Sequence, residues 1–268
     1  MTKSIPVGVI GAGVMGEAII TALISYGVSP KSITISEKRK DRSDELINRY
    51  GINVAEIDDN VSTAQVLLLV VKPQDITGVL EEITADFIPG CLVISFVAGK
   101  KISYIADLIG TGANPVIRVM PNTPTLVGAG MSAISCCELV TAEQREFVLG
   151  FLGAVGKVIE VDEELQDDVT ATSGSGPAYF FRFVEAMVDG AKELGLSHEI
   201  ATELTVQTML GAAKLLEISG KSASTLRENV TSPNGTTAAA LASFDTDQIS
   251  TMVATAMKAA RNRSQELA

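Results

Sequence analysis

Between residues 7 and 161 the sequence alternates short apolar, β-branched runs with longer amphipathic stretches. Short apolar runs bounded by turn residues predict buried strands, and apolar residues spaced by three or four positions predict helices. Strands that alternate with helices are typical of a parallel sheet covered by helices on both faces. The predicted strands cover residues 7–10, 32–36, 52–55, 66–71, 91–96, 116–120, 131–135 and 157–161, and the predicted helices cover 17–26, 42–50, 76–85, 102–109 and 142–152.

After Asp162 the strand pattern stops, and predicted helices cover residues 164–172, 178–194, 198–218, 223–229, 237–244 and 247–268. Residues 205–213 are apolar on nearly every side of such a helix. A domain of about a hundred residues has too little interior to bury several helices of this kind. The pattern therefore predicts an all-helical second domain that completes its burial in a subunit interface.

The composition excludes several classes of partner. The formal charge of -11 disfavours nucleic acid and anionic membranes, because both repel an acidic surface. The longest apolar run, residues 66–71, is much shorter than the ~20 residues that span a bilayer. The first predicted strand begins too close to Met1 for a secretory signal, and Cys91, Cys136 and Cys137 have no metal-ligand spacing. We expect a cytoplasmic protein with reduced cysteines and without a metal site.

A glycine pattern of the form G-x-G-x-x-G directly follows the first predicted strand and opens a helix; its residues are Gly11, Ala12, Gly13, Val14, Met15 and Gly16. The first glycine allows a tight turn, the second lets the backbone approach a pyrophosphate, and the third lets the helix pack closely on the strand. In this context the pattern favours a dinucleotide site over a plain glycine-rich turn. We therefore predict an α/β protein with an N-terminal Rossmann-type dinucleotide-binding domain, residues 1–161, and an all-helical substrate and dimerisation domain, residues 162–268.

The choice between NADP and NAD depends on the segment after the second predicted strand, where the residues point both ways. Glu37 lies at the distance expected of an acid that hydrogen-bonds a free ribose hydroxyl, which favours NAD. Ser36, Lys38 and Arg39 offer a hydroxyl and two cations to a 2′-phosphate, which favours NADP. A merely solvated charged segment is a third interpretation. We predict NADP, with NADPH preferred and NADH as the alternative cofactor.

Three further segments, residues 71–74, 97–99 and 120–124, follow predicted strands at the edge where open α/β sheets bind ligands. Prolines fix such loops, and small residues leave room for a nicotinamide ring. A plain turn at the end of a strand is the alternative for each of them.

The only histidine, His198, follows Ser197 at the start of a predicted helix. Ser197 is suited to cap that helix, so we expect His198 to be an exposed first-turn residue and not a general acid. Reduction of a carbonyl needs a well-tuned proton donor, whereas an imine can enter already protonated. The sequence therefore favours a C=N bond as the bond that is reduced.

Two loops that consist mainly of small residues directly precede predicted helices in the second domain, at residues 172–179 and 229–237. In the second loop Gly235 frees the backbone, and the amides of Thr236 and Thr237 would point outward at a helix start, which suits a carboxylate. On spacing alone, an ordinary capped helix that begins with Ser232 and Pro233 is the alternative.

Four segments resemble those of pyrroline-5-carboxylate reductases: Val-Lys-Pro-Gln at 71–74, Arg-Val-Met-Pro-Asn-Thr-Pro at 118–124, Ser-Gly-Ser-Gly-Pro-Ala-Tyr at 173–179 and Val-Thr-Ser-Pro-Asn-Gly-Thr-Thr at 230–237. They occur in the order and spacing of that family over essentially the whole chain. The resemblance implies the last step of proline synthesis, in which hydride from NADPH or NADH reduces the imine of 1-pyrroline-5-carboxylate to L-proline. It also implies a homodimer built by the helical domain, assembled further in many members, with the substrate site at the dimer interface.

The resemblance also implies roles for individual residues. Thr237 would be catalytic and donate a hydrogen bond or proton to the ring nitrogen, while the amides of Thr236 and Thr237 hold the substrate carboxylate. The other residues lining the substrate would be Glu163, Asn229, Ser232 and Gly235. Beyond the glycine loop, the residues lining the dinucleotide would be Ser36, Lys38, Asn60, Val71, Lys72, Pro73, Ala98 and Gly99.

The chain departs from the family at two places. Asn234-Gly235 stands where many members have Gly-Gly, although asparagine tolerates the left-handed region better than most residues. Glu37-Lys38 stands where NADP-preferring members often carry Asn-Arg or Asp-Arg, which bears on the cofactor preference.

Two other functions fit part of the pattern. A β-hydroxyacid dehydrogenase also joins a glycine loop to a helical domain, but it needs a lysine in a G-x-x-x-K-x-x-N context. Here Lys192 is followed by Glu193, Leu194 and Gly195. A non-catalytic redox sensor would bind a dinucleotide and a protein partner, but it has no use for a second polar site such as the Thr237 loop.

Overall fold

A computed structural model describes residues 4–83, 87–110 and 112–267 of the chain. Within these ranges the first part of the chain forms one sheet of eight strands, in the order β3-β2-β1-β4-β5-β6-β7-β8. The strands are β1 (Val7–Ile10), β2 (Ile33–Ser36), β3 (Asn53–Val54), β4 (Val66–Leu69), β5 (Leu92–Ser95), β6 (Val116–Met120), β7 (Gly130–Cys136) and β8 (Gly156–Glu160). All eight predicted strands are confirmed, four of them one or two residues shorter than predicted.

The first six strands are parallel and follow the order of a Rossmann fold. The chain order reverses between β1 and β4, whose residues Val7–Ile10 and Val66–Leu69 pair in register. In such sheets the loops that follow the two adjacent strands lead to opposite faces of the sheet at this point. A crevice therefore opens beyond the carboxyl ends of these strands. The predicted glycine loop lies directly at this crevice.

The sheet is not parallel throughout, so the prediction of a fully parallel sheet is wrong at β7. Strand β7 pairs antiparallel with β6, with Arg118 opposite Ser135, and β8 then pairs parallel with β7. The connection over residues 121–129 contains only a 3₁₀ turn at Thr123–Val127. A parallel crossover needs about a dozen residues or more, so this short connection reverses the chain.

Helices cover both faces of the sheet, as predicted. One hydrophobic cluster includes Ile19, Leu46 and Phe151, and the other includes Leu80 and Ile105. The helices are α1 (Val14–Ser25), α2 (Lys40–Tyr50), α3 (Ile57–Thr63), α4 (Ile76–Ile83), α5 (Ile102–Ile109) and α6 (Ala142–Gly153). The predicted end of α4, at residues 84–85, lies outside the described residues.

Helix α3 was not predicted. It has only seven residues, and its first turn carries Asp58 and Asp59. Two helical turns show too little apolar periodicity to be distinguished from a polar loop. Its two buried residues nevertheless contact the sheet: Asn60 hydrogen-bonds β2, and Val61 belongs to the second hydrophobic cluster.

From residue 163 to residue 267 the chain is helical, which confirms for this range that strands stop after Asp162. The helices are α7 (Gln166–Val169), α8 (Gly176–Glu193), α9 (His198–Ser219), α10 (Ala223–Asn229), α11 (Thr236–Thr246) and α12 (Ile249–Glu266). The single helix predicted over 164–172 is wrong in detail: a 3₁₀ turn at Glu163–Leu165, helix α7 and a π-helical turn at Thr170–Gly174 follow one another there. Because all three are helical, their apolar spacing resembles that of one helix.

The chain packs as two compact units. One contains the residues up to Pro177 together with those from Ala260 onward, and the other contains Ala178–Ala259. Helix α12 therefore begins in the second unit and ends in the first. The predicted domain boundary between residues 161 and 162 stays a prediction.

Helix α9 exposes most of its apolar residues in the single chain. Of its residues only Ala201 and Thr205 are buried. Leu204, Val206 and Leu210 are each between 45% and 55% exposed. Among residues 4–83, 87–110 and 112–267 no helix is long and apolar enough to cross a membrane.

Candidate functional site

The glycine loop between β1 and α1 is tightly packed at two of its three glycines. Gly11 adopts φ +88°, and a Cβ there would lie 2.7 Å from the Val70 carbonyl oxygen. A Cβ on Gly16 would lie 2.5 Å from the Gly11 carbonyl oxygen. The fold itself therefore requires both glycines, through the turn and through the approach of helix α1 to the strand.

Gly13 is different, because the protein leaves the space around it empty. Its φ is -64°, it is exposed, and a Cβ there would meet no atom within 4 Å. Gly13 is also the N-cap of α1, and no side chain caps this helix. The first amides of a helix have no intrahelical acceptor, and together with the helix dipole they attract an anion. The loop thus offers open space and free donors where a diphosphate would bind.

Glu37 lies against this loop. Its Oε2 accepts a hydrogen bond from the Ala12 amide at 2.9 Å, and its Oε1 accepts one from the Arg39 amide at 3.1 Å. Lys38 and Arg39 are exposed and project into solvent. The structure therefore holds the acid at the loop and leaves both cations on the surface, where Arg39 Nε lies 3.9 Å from Glu37 Oε1. The preference for NADPH over NADH stays a prediction.

Ser36 and Asn60, both predicted to line the dinucleotide, contact each other. The Asn60 amide nitrogen donates to Ser36 Oγ at 2.9 Å and to the Thr34 carbonyl oxygen at 3.2 Å. Ser36 Oγ in turn donates to the Ala55 carbonyl oxygen at 3.0 Å. Asn60 is 1% exposed. Its side chain thus fixes the end of β2, from which the Ser36 hydroxyl and the following residues extend.

The loops after β4 and β5 complete the carboxyl edge of the sheet. Val71 lies next to the glycine loop, since its Cγ1 is 3.1 Å from the position of a Gly11 Cβ. Lys72 is exposed and its carbonyl oxygen closes a turn with the Asp75 amide at 2.9 Å. The predicted cofactor residues of β1, β2, β4 and β5 thus lie along one edge of the sheet; they include Pro73 and Ala98.

Gly99 is covered by the C-terminal turn of the chain. It is buried, its φ is +78°, and a Cβ there would lie 2.7 Å from Leu267 Cβ and 2.9 Å from the Ser264 carbonyl oxygen. This contact was not predictable, because residues 264–267 carry no recognisable sequence pattern. A side chain at position 99 would displace that turn.

A polar cluster lies close to the same loop and was also missed. Arg118 is 2% exposed, and its guanidinium nitrogens lie 3.6 Å from Glu163 Oε1 and 3.4 Å from Asp167 Oδ1. Glu163 Oε1 also accepts a hydrogen bond from the Ile102 amide at 2.6 Å, at the start of α5. Asp167 Oδ1 accepts one from Ser264 Oγ at 2.7 Å. Arg118, a charge inside an otherwise apolar strand, is the one member that the sequence could have revealed.

Glu163 was predicted to line the substrate. In the structure one of its carboxylate oxygens caps α5 and faces Arg118, and its side chain is 28% exposed. Its described contacts all lie within the first compact unit. The substrate role stays a prediction.

The loop after β6 contacts the π-helical turn. Asn122 Nδ2 donates to the Ser173 carbonyl oxygen at 3.1 Å, and Asn122 Oδ1 accepts from the Met131 amide at 2.9 Å. A Cβ on Gly174 would lie 3.2 Å from Met120 Sδ. Two of the four family-like segments therefore pack directly on each other. π-helical turns often occur at functional sites.

The second compact unit carries the Thr237 loop. Asn234 adopts φ +60°, as expected of the residue that replaces the first glycine of the family pattern. The Gly235 amide donates to the Ser232 carbonyl oxygen at 3.0 Å, and Gly235 is the N-cap of α11 without a side-chain cap. Thr237 is half-buried, while Asn229 and Ser232 are exposed. The loop thus presents uncapped amides, those of Thr236 and Thr237, at the start of an 11-residue helix.

His198 lies where the sequence predicted. Ser197 Oγ accepts a hydrogen bond from the Ile200 amide at 3.3 Å and caps α9, and His198 is exposed in the first turn. Among the described interactions the imidazole makes no contact with the Thr237 loop, which lies in the same compact unit.

Comparison with known proteins decides between the remaining functions. A family model described as pyrroline-5-carboxylate reductase dimerisation matches residues 163–267, and one described as NADP oxidoreductase, coenzyme F420-dependent, matches residues 6–99. The chain is 40% identical over 265 residues to the pyrroline-5-carboxylate reductase of Corynebacterium melassecola, covering 97% of this chain and 98% of that one. This chain belongs to the pyrroline-5-carboxylate reductase family.

Solved structures agree with this membership. A pyrroline-5-carboxylate reductase from Coxiella burnetii superposes with a TM-score of 0.90 at 34% identity, covering 99% of each chain. The Plasmodium falciparum pyrroline carboxylate reductase, solved with NADP bound, superposes with a TM-score of 0.88 at 26% identity, covering 100% of this chain and 99% of that one.

Membership in the pyrroline-5-carboxylate reductase family settles several predictions. The chain is an oxidoreductase that acts on a CH–NH bond, and the dehydrogenase and sensor alternatives are wrong. The α/β fold with a Rossmann-type first part and a helical dimerisation part is confirmed. The dimerisation domain over residues 163–267 confirms the dimer predicted from the apolar helices.

Proposed function

We propose that this chain reduces the C=N bond of 1-pyrroline-5-carboxylate to give L-proline, the final step of proline biosynthesis, with NADPH as preferred cofactor and NADH as the alternative. The observation that carries the proposal is a pair of uncapped helix starts inside a chain of this family. One is at Gly13 of α1 and the other at Gly235 of α11. Each helix start suits one anion: a diphosphate at α1 and a carboxylate at α11.

The nicotinamide, when bound, supplies the hydride that adds to the imine carbon. The residues of the chain hold the two partners. The free amides at Gly13–Gly16 bind the diphosphate, and the loops at Val71–Pro73 and Ala98–Gly99 border the nicotinamide. The amides of Thr236 and Thr237 bind the substrate carboxylate, with Glu163, Asn229, Ser232 and Gly235 lining the rest of the site.

Thr237 is the catalytic residue of this proposal. Its hydroxyl donates a hydrogen bond to the ring nitrogen, which orients the imine and stabilises the amine that forms. A protonated imine already carries the proton that the product amine needs, so no acidic side chain has to supply one. This fits a chain whose only histidine is exposed at the start of α9.

The preference for NADPH rests on the segment after β2. Ser36, Lys38 and Arg39 offer a hydroxyl and two cations to a 2′-phosphate, and both cations are exposed, with Arg39 Nε 3.9 Å from Glu37 Oε1. Glu37 is held by the Ala12 and Arg39 amides, which partly neutralise its carboxylate. We infer that the cations outweigh the acid.

The assembly and location complete the proposal. We infer that dimers form through the exposed apolar faces of the helical part and that dimers associate further. The domain boundary lies between residues 161 and 162, and the protein acts in the cytoplasm on a small-molecule substrate, without nucleic acid or membrane partners.

The direct test follows nicotinamide absorbance after 1-pyrroline-5-carboxylate is added, with NADPH and NADH in separate reactions. Both cofactors should be oxidised, with a larger kcat/KM for NADPH, and no oxidation with either cofactor would overturn the proposal.

A second test concerns the Thr237 hydroxyl. Thr237→Ala should lower kcat/KM by about 10²-fold with unchanged affinity for NADPH, and Thr237→Ser should recover a good part of the lost kcat/KM. Thr246→Ala is the matched control, because Thr246 lies at the other end of α11 and bonds only the Ala242 carbonyl oxygen. Equal loss in the alanine and serine variants would show that the hydroxyl is not catalytic.

A further inference from the structure

We propose that Arg42 is a positioning residue for dinucleotide binding: together with Glu37 it fixes the backbone of Ala12 and so aims the amides of the glycine loop. The inference rests on the proposed role of this loop in binding the diphosphate. It concerns two side chains that the glycine pattern does not include.

The two side chains hold Ala12 from both of its polar groups. Glu37 Oε2 accepts from the Ala12 amide at 2.9 Å, and Arg42 Nε donates to the Ala12 carbonyl oxygen at 3.0 Å. Ala12 itself is fully buried, at 0% exposure. Its backbone therefore has no solvent partner to exchange with, and its orientation is set by these two contacts.

Fixing the Ala12 carbonyl also fixes the next amide. In a trans peptide the C=O and the following N–H point in opposite directions. When Arg42 holds the Ala12 carbonyl toward α2, the amide of Gly13 must point away from α2. Donors that are aimed before the ligand arrives need no reorganisation on binding, which strengthens the interaction with a diphosphate.

Arg42 is itself held on three sides. While Nε contacts Ala12, its terminal nitrogens donate to Glu17 Oε2 at 2.5 Å and to Glu45 Oε2 at 2.6 Å. Only 11% of the side chain is exposed. A guanidinium has donors in a fixed planar fork and can make all three contacts at once, whereas an ammonium cannot span them. Arg42 thus joins the loop to the first turn of α1 and to α2.

Glu37 extends the same arrangement toward the ribose. Its second oxygen accepts from the Arg39 amide at 3.1 Å, in the segment proposed to meet the 2′ position. Arg42 lies on the diphosphate side of this arrangement. Loss of Arg42 should therefore weaken the binding of NADPH and of NADH to the same extent. Loss of Lys38 and Arg39, in contrast, should weaken the binding of NADPH more than that of NADH.

The test compares Arg42→Met with Arg49→Met. Arg49 also pairs with Glu17 and Glu45, at 2.5 Å and 2.7 Å, but makes no described contact with Ala12. Fluorescence titration of the dimeric protein should show that Arg42→Met raises the Kd of both NADPH and NADH about tenfold, the effect of one lost charge-assisted hydrogen bond. Arg49→Met should leave both Kd values within about twofold of the wild type.

A second variant guards against loss of folding. Arg42→Lys keeps the charge and one contact to Glu17, so it should fold and still bind both cofactors several-fold more weakly. In each variant kcat at saturating cofactor should stay unchanged, because the loop holds the diphosphate and not the reacting atoms. Equal Kd changes at positions 42 and 49, or unchanged Kd in Arg42→Lys, would overturn the inference. Cofactor binding is measured without substrate, so a wild type that binds NADPH but does not reduce the imine would overturn the proposed reaction alone.

Discussion

The glycine loop allows one prediction that separates what the fold needs from what the ligand needs. Gly16→Ala should destabilise the protein, and Gly13→Ala should leave it stable but weaken dinucleotide binding. The reason is the position of the added methyl group. At residue 16 it would lie 2.5 Å from the Gly11 carbonyl oxygen, and at residue 13 it would meet no atom within 4 Å.

The magnitudes follow from these distances. Overpacking against backbone typically costs about 1–3 kcal/mol, and alanine inside a helix recovers roughly 1 kcal/mol over glycine. Because the methyl of Gly16→Ala would lie only 2.5 Å from a backbone carbonyl oxygen of the tight loop, the overpacking cost is at the upper end of its range, and we expect a net loss of about 2 kcal/mol. At the N-cap, alanine lowers the free energy of unfolding relative to glycine by less than about 1 kcal/mol, so Gly13→Ala should be almost as stable as the wild type.

Urea unfolding without cofactor gives the stability of each variant, and titration with NADPH gives its affinity. We expect Gly13→Ala to raise the Kd for NADPH at least about tenfold, since the methyl occupies the space of the diphosphate, and the larger Gly13→Val to abolish binding. Normal NADPH binding by a folded Gly13→Val variant would refute the assignment of this loop. A Gly16→Ala variant as stable as the wild type would refute the argument from packing.

Three other perturbations probe separate parts of the molecule. Replacing Lys38 and Arg39 by alanine should raise the Kd of NADPH more than that of NADH. Equal increases of the two Kd values would show that both side chains are only solvated and do not contact the 2′-phosphate. Burial raises the pKa of Glu17, but hydrogen bonds from two arginines and a tyrosine outweigh it and leave the pKa below its usual 4.5. Glu17 therefore stabilises the fold above pH 4.5 and loses this contribution as the pH falls through its lower folded value, so the stability advantage of wild type over Glu17→Gln should shrink in acid unfolding experiments. Burial raises the pKa of Cys91 to about 12, so iodoacetamide at pH 8 should leave this thiol unmodified in the folded protein, which mass spectrometry can check.

Local patterns were enough to predict the sheet and the glycine loop. Buried strands such as Val66–Leu69 are continuous apolar runs, and the three glycines of Gly11–Gly16 form a contiguous pattern that is recognisable without any distant residue. The cap at Ser197 and the left-handed Asn234 were predictable for the same reason. Each of these features is encoded within a few neighbouring residues.

The direction of β7 was not predictable from its own residues. Strands that are buried on both faces have the same continuous apolar sequence pattern whether they run parallel or antiparallel. The deciding feature is the length of the connection over residues 121–129, in which the 3₁₀ turn at Thr123–Val127 replaces a crossover helix. Counting this connection against the minimum for a crossover would have predicted the reversal.

Contacts between residues that are distant in the sequence were not predictable from local patterns. Arg42 and Ala12 are separated by 30 positions, and Ser264 and Asp167 by 97. Which arginine of a charged helix turns toward a loop carbonyl depends on the packing of the helix, since several exposed and buried charges have the same local pattern. The supporting contacts of the site therefore became visible only in the structure.

The covering of Gly99 shows why the site cannot be assigned to the first 161 residues alone. A fragment ending there would lack Glu163 and Asp167, and would leave Arg118, at 2% exposure, without either of its carboxylate partners. A buried cation without its partner is strongly destabilising. Such a fragment would also lack the Ser264–Leu267 turn that packs on Gly99. The family's division of the chain and its physical packing thus differ: Gly99, in the loop proposed to border the nicotinamide, is covered by the last residues of the helical part.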